Sequence, residues 1–357
     1  MQAEIVYLLV NFVLSFLGFL TVVFIIPHAI PSFLKARLFG KDLNKSSLTD
    51  EKIPESLGII PATVYLLIVI IWQLFLNDTN LLSRYTAAIL SICLMTFLGF
   101  ADDVLNLRWR YKLFLPAIAS LPIVVSYTGS TLVVVPKPLR ALLLCSSFDL
   151  GYIYLVYLVL LLLFCSNSIN IYAGINGLEV GQSIIISLVM IAYNILHLFT
   201  KDNSIKDSHF LALSLLLPFT SSSLGLFHWN KFPSRVFVGD SYTYFAGVTL
   251  GVAAIVGQFT KLLLLLFIPQ LINFVYSLPQ LTGFVPCPRH RLPKFNEKTK
   301  KLEGVKSHMN LINLVLRFFG SMTENNLFVI LMILQTVCST LGLVIRELLA
   351  SRKILYD

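Results

Sequence analysis

This sequence predicts an all-α integral membrane protein of about ten transmembrane helices, a single polytopic domain over residues 1–357. Three observations predict it. Hydrophobic residues make up 57% of the chain and charged ones 13%, with a mean hydropathy of +0.82, which excludes an ordinary soluble domain. Uncharged runs recur along the chain, each about long enough to cross a hydrocarbon layer of roughly 30 Å as a helix. Lys and Arg gather in alternate connections between those runs.

The first run, 5–26, follows only four residues that include no basic segment, and no small-residue cleavage site follows it, so it reads as a retained span. Runs 57–76 and 113–135 are of ordinary spanning length, whereas 85–101 and 210–227 are short. Run 150–178 is long enough to carry a polar tail beyond the bilayer, and 180–200, 241–260, 262–288 and 325–345 complete the ten. Ten spans put both termini on one side. Loops 1, 3, 5, 7 and 9 carry five, three, none, two and eight of the 27 Lys and Arg, 18 in all, against six in the even loops. The positive-inside rule therefore makes the odd loops cytoplasmic and the termini lumenal or exterior. The net charge of +9 belongs mainly to that one face, where it favours anionic headgroups or an anionic substrate. Nucleic acid is a poor partner, because no soluble basic domain exists to bind it.

The sizeable extramembrane pieces are loop 1 (27–56) and loop 9 (about 289–324). The lysines of 294–306 suggest a solvated hairpin. Five scattered cysteines have neither metal-ligand nor disulfide-framework spacing, and His28, His197 and His228 read as packing residues. The sequon at Asn77 is expected to sit too near the membrane to be modified.

Asp102 and Asp103 end an apolar run and open a cluster of acids, amide and cations that includes Asn106, Arg108, Arg110 and Lys112. In isolation a solvated loop whose charges pair would look the same. The other polar residues at span ends change the reading: Glu55 in loop 1, Asn167, Asn170 and Asn176 in loop 5, Asp240 in loop 7, and Arg289, His290 and Arg291 in loop 9. All fall on odd loops, hence on one face. That inventory suits phosphoryl transfer. Asp240 and Asn170 offer hard oxygen to Mg²⁺, which completes its shell with water and substrate phosphate. Arginine forks take phosphates bidentately. Two phosphate dianions about 4 Å apart repel by roughly 16 kcal/mol at an effective dielectric of 20, which metal and cations must offset. Because Asp102 and Asp103 lie in loop 3 and the metal candidates in loops 5 and 7, acceptor activation and donor binding are expected to be separate. Gly174 and Gly177 fit a helix end or a phosphate contact equally well.

The strings at 100–112, 170–179, 237–247 and 286–293 resemble the eukaryotic UDP-GlcNAc:dolichyl-phosphate GlcNAc-1-phosphotransferases, with rare motifs in the family's order and its ten-span architecture. Bacterial relatives that use undecaprenyl phosphate typically carry a histidine-rich loop 9, whereas here one His290 stands between two arginines. The resemblance implies an endoplasmic reticulum enzyme that joins UDP-GlcNAc and dolichyl phosphate, with Mg²⁺ held by Asp240 and Asn170. It further implies Arg289, His290 and Arg291 around the diphosphate and Lys112 near the reacting phosphates. Phe237 would face the uracil, Asn176 the uridine, and Trp109 with Arg291 the N-acetyl group. Asp102, Asp103 and Asn106 match the family's acidic motif, and Glu55 a polar position whose neighbour Leu57 departs from some relatives. In-line attack and double displacement through an aspartate both remain open, and a homodimer is allowed. A transporter would instead show ionisable residues on both faces and internal symmetry, and a scaffold would not need these motifs.

Overall fold

The computed structural model describes residues 2–42, 44, 52–108, 110–135, 140, 145–198, 203–288 and 290–351. Helices occupy each of the ten expected stretches, but several differ from a straight span for reasons the backbone supplies. α1 (Gln2–Lys35) carries the first run and continues through Pro27 and Pro31. α2 (Ile59–Trp72) is short and ends in a 3-10 turn, Gln73–Phe75. α3 (Thr79–Leu105) extends the 85–101 run at both ends. Asp78 caps its start through the backbone N–H groups of Asn80 and Leu81, and Asn106 closes it in the left-handed conformation that asparagine tolerates.

The 113–135 run is not one span. It divides into α4 (Tyr111–Ala119), α5 (Leu121–Val125) and β3 (Leu132–Val134), which pairs with β4 (Ser147–Asp149). Pro122 can open a helix, where its missing N–H is not needed, but cannot prolong the preceding one. α6 (Tyr152–Ile171) stops before the polar tail at 172–177, as its length suggested. α7 (Leu178–His197), α8 (Asn203–Asn230) and α9 (Gly239–Val256) follow. α10 (Thr260–Leu266) and α11 (Ile268–Leu281) meet at a 69° bend, beyond which Pro269 lies in the first turn. Loop 9 folds into a hairpin, β5 (Lys294–Asn296) with β6 (Lys301–Glu303), and an amphipathic helix, α12 (Leu311–Phe319). α13 (Glu324–Ser351) closes the described chain, and in loop 1 β1 (Phe39–Gly40) pairs with β2 (Ile53–Pro54).

Among the described residues, six helices, α1, α3, α6, α7, α8 and α13, are individually long and apolar enough to cross a membrane, and the bent α10–α11 pair makes a seventh if it is one broken span. The chain is an all-α multi-pass membrane protein. α9 has a different place: every residue from Ser241 to Val256 is buried, and it packs against α3, α6 and α8. Small residues permit that enclosure. A Cβ at Gly247 would lie 2.4 Å from Ser166 Cα, and one at Gly99 would lie 2.6 Å from the Asp240 carbonyl oxygen. The odd connections converge around the N-terminal end of this central helix. A second apolar cluster, including Tyr172, Ile175, Leu178, Leu302, Leu311 and Leu327, fastens loop 9 to the ends of α6, α7 and α13.

Candidate active site

The N-terminus of α9 is held by a carboxylate from another helix. Asp103 Oδ1 accepts from the Asp240 N–H at 2.6 Å, and its Oδ2 accepts from the Ser241 N–H at 2.9 Å and from the Ser241 hydroxyl. A buried helix start leaves such N–H groups unsatisfied and partially positive, so a carboxylate answers both needs. Gly239 makes the approach feasible: its φ is +71°, and a Cβ there would stand 2.5 Å from the Asp103 carboxylate.

Asp102, only 3% exposed, accepts from the Leu107 N–H at 3.0 Å, and its Oδ2 lies 2.7 Å from Lys112 Nζ. The same ammonium donates to Asp240 Oδ2 at 3.2 Å. Burial opposes the charge of Lys112, but Asp102 and Asp240 outweigh it and hold the ammonium above its ordinary pKa. Asn170 Nδ2 donates to Asp240 Oδ1 and, at 3.2 Å, to Thr243 Oγ1. Loops 3, 5 and 7 thus form one interlocked corner, in which the aspartate pair is in contact with the segment that carries Asp240. Helix α9 is the reason: its first turn needs Asp103 as a cap and presents Asp240 beside it.

This corner opens onto a cleft of about 780 Å³, which brings together Glu55, Asn170, Asn176, Phe237, Asp240, His290 and Arg291. Phe237 is fixed by its N–H to the Pro54 carbonyl at 2.8 Å. Burial, and next the charge of Asp240, raise the carboxyl pKa of Glu55 above its ordinary value. Burial lowers that of the Arg291 guanidinium, which donates to the Met309 carbonyl at 3.3 Å. The Arg291 carbonyl in turn accepts from Asn310 Nδ2 at 2.7 Å and Asn313 Nδ2 at 3.0 Å, while the His290 side chain stands exposed. Lys112, Asp102 and Asp103 stand behind or beside Asp240, and Asn106 is exposed at the end of α3. Trp109 and Arg289 lie outside the described residues.

Three cleft-lining residues, Asp42, Asn44 and Glu179, carried no weight in the sequence, nor did Glu324 behind them. Asn176 donates its N–H to Glu324 Oε1 at 2.7 Å and its side-chain amide to Asp42 Oδ2 at 3.1 Å, and Asn44 Nδ2 donates to the Gly174 carbonyl at 2.8 Å. Asp42 and Asn44 offered no signal, being ordinary loop polars. Glu179, which also lines the cleft, was visible inside the 170–179 string. Gly177 precedes α7 with φ +83° and Gly174 lines the cleft with φ +125°, so one glycine of that pair starts a helix and the other bounds the site.

Among the described residues, no group of three His, Cys, Asp or Glu side chains is placed to hold a metal. The donor set nonetheless suits a hard cation that draws most of its shell from water and phosphate: one carboxylate, Asp240, and one amide, Asn170, meet on the cleft wall. The amide orientation follows its hydrogen bonds, and turning it presents oxygen instead of nitrogen.

The profile of glycosyl transferase family 4 matches residues 85–258. The chain is 49% identical over 347 residues to the UDP-N-acetylglucosamine–dolichyl-phosphate N-acetylglucosaminephosphotransferase of Dictyostelium discoideum, covering 90% of this chain and 85% of that one. The chain belongs to glycosyl transferase family 4. Proteins with the same name from Saccharomyces cerevisiae and Schizosaccharomyces pombe are 39% and 37% identical, over 92% and 96% of this chain and 89% and 92% of theirs. The family 4 match begins in α3 and ends just beyond α9, so it spans the helices that bring Asp102, Asp103, Lys112, Asn170 and Asp240 together. Loop 9 lies outside it.

Proposed function

We propose that this chain transfers N-acetylglucosamine 1-phosphate from UDP-N-acetylglucosamine to dolichyl phosphate, giving GlcNAc-diphosphodolichol and UMP, the step that begins lipid-linked oligosaccharide assembly for N-glycosylation. The observation that carries the reading is the Asp240 corner: a carboxylate, an amide and a shared ammonium at the mouth of a cleft whose other wall holds Arg291. The names of the relatives supply the substrates.

Asp240 and Asn170 would hold Mg²⁺, which when bound neutralises part of the diphosphate charge. Lys112 keeps its proton between Asp102 and Asp240, so a cation stands where two phosphates must approach. Asp103 acts through the backbone of Asp240, and Asn106 ends the helix that carries both acids. Arg291, with Arg289 and His290 in the same strap, receives the diphosphate. Phe237 and Asn176 take the nucleoside end, Trp109 and Arg291 the N-acetyl group, and Glu55 borders the cleft beside Asp240. An oxygen of the acceptor phosphate attacks the β-phosphorus in line, the bond from that phosphorus to the bridging oxygen breaks, and UMP leaves. The cleft faces the cytosol of the endoplasmic reticulum membrane and both termini face the lumen, which accords with the charge of the odd loops.

The test is to incubate purified protein with Mg²⁺, labelled UDP-N-acetylglucosamine and dolichyl phosphate. A labelled lipid product with equimolar UMP is expected. Uptake of the nucleotide sugar into vesicles without UMP release would overturn the reading in favour of transport.

A further inference from the structure

Three glutamines, Gln182 on α7, Gln270 on α11 and Gln335 on α13, are completely buried inside the helix bundle. Amides in such a setting demand hydrogen-bond partners, and polar residues within membrane helices are kept for a purpose. Here they form one directional ladder, in which every amide group but Gln270 Oε1 finds a partner. Gln182 Nε2 donates to the Tyr172 carbonyl at 2.9 Å, and Gln335 Nε2 donates to the Leu266 carbonyl and to Ser339 Oγ, each at 2.9 Å. Both outer amides therefore turn their oxygens inward, and Gln270 Nε2 donates to each at 2.7 Å. The outer pair dictates the orientation of the middle amide, because a flipped Gln270 would set its oxygen against two others.

The ends of the ladder are informative. Tyr172 is the C-cap of α6, two residues beyond Asn170 and its contact with Asp240. Leu266 is the last residue of α10, just before the 69° bend, and Gln270 lies in the first turn of α11 beyond it. Further along α11, Gln280 accepts from the Met309 N–H at 2.8 Å and donates to the Ser307 carbonyl at 2.9 Å, while Ser277 Oγ donates to the Met309 carbonyl at 2.8 Å. Arg291 donates to that same carbonyl. The ladder, continued by helix α11 from Gln270 to Gln280, thus joins the two walls of the cleft.

We propose that Gln182, Gln270 and Gln335 are positioning residues that set the spacing between the Asn170–Asp240 wall and the Arg291 strap, so that one diphosphate engages both; this rests on the phosphotransferase reading above. A bend in a membrane helix has many nearby angles, and the ladder selects one. Misalignment of reacting groups slows the chemical step far more than it loosens a nucleoside gripped on one wall.

Gln270→Met keeps length and removes the central donors; Gln182→Met cuts the path at its α6 end and serves as the second variant. For folded protein, kcat is expected to fall about 10-fold or more, with KM for UDP-N-acetylglucosamine changing less than about threefold. Amide hydrogen exchange should rise together in 172–177 and 305–313, the segments at the two ends of that connection. A folded variant with kcat within about twofold of the parent, or exchange that rises only beside the altered residue, overturns the proposal. Failure of both variants to fold would assign the ladder to stability alone and overturns it too. If the parent releases no UMP, the phosphotransferase reading fails by itself, and the exchange pattern still decides the ladder.

Discussion

The two walls of the cleft are built on opposite principles. On the α9 side the charged groups of the corner are shared: Asp103 grips the helix start, and Lys112 divides itself between Asp102 and Asp240. On the loop 9 side the backbone is what is gripped, by Gln280, Asn310 and Asn313, and the Arg291 side chain lines the cleft. The first wall therefore couples folding to charge placement, so that altering one carboxylate disturbs several partners. The second presents charge on a scaffold that would survive its loss, as a surface for recognising anions should.

The largest effect expected of this contrast lies at Asp240. Asp240→Ala should lower kcat by about 10³-fold or more and also lower the thermal midpoint in detergent, because Lys112 and Asn170 both lose the carboxylate they share. Chelation of divalent cations should abolish turnover of the parent. Full activity of Asp240→Ala in chelator would remove the metal role from this wall.

Arg291→Lys tests the other wall. Lysine keeps the charge but loses the planar fork, and kcat/KM should drop by about 100-fold, shared between kcat and donor affinity. Calorimetry with UDP-N-acetylglucosamine in the absence of acceptor would measure the affinity part. An unchanged affinity would show that the strap acts only in the transition state.

Asp103→Asn should cost about 2 kcal/mol of stability, since an amide nitrogen would face backbone N–H donors that now meet a carboxylate. Denaturant titration of the α-helical signal checks it, and an undiminished stability would contradict the coupling of charge to folding on this wall.

The smallest effect concerns Glu55, whose carboxyl pKa is raised first by burial and then by Asp240. A folded value above the unfolded one means that ionisation costs stability: the cost is absent below the ordinary value of 4.5, where both states are protonated, and complete above the folded value. Glu55→Gln should therefore raise the thermal midpoint at pH 7.5 and leave it unchanged at pH 4. An equal gain at both pH values would contradict this linkage.

Hydropathy runs and the Lys and Arg count made the multi-pass class and the grouping of odd loops legible, because both are local sums over consecutive residues. The motif strings singled out Asp240, Asn170, Lys112 and Arg291, which the fold brings to one cleft and the corner behind it. Legibility failed at 113–135, where apolar composition masks the breaks at Ser120 and Pro122; at 241–260 the helix was legible but not its enclosure by protein on every side. Composition reports what a segment can border, and lipid and packed side chains are equally apolar.

The sequence by itself determined that this chain crosses a membrane repeatedly, which chemistry gathers at one face, and which family its motifs resemble. Only the tertiary structure decided that Asp103 caps the helix bearing Asp240, that Lys112 is shared by two acids, and that Asp42 reaches Asn176. Those contacts join residues as much as 138 positions apart. They exist because a buried helix start and buried charges must find partners, and which partner arrives is settled by how ten helical stretches pack, not by any local pattern.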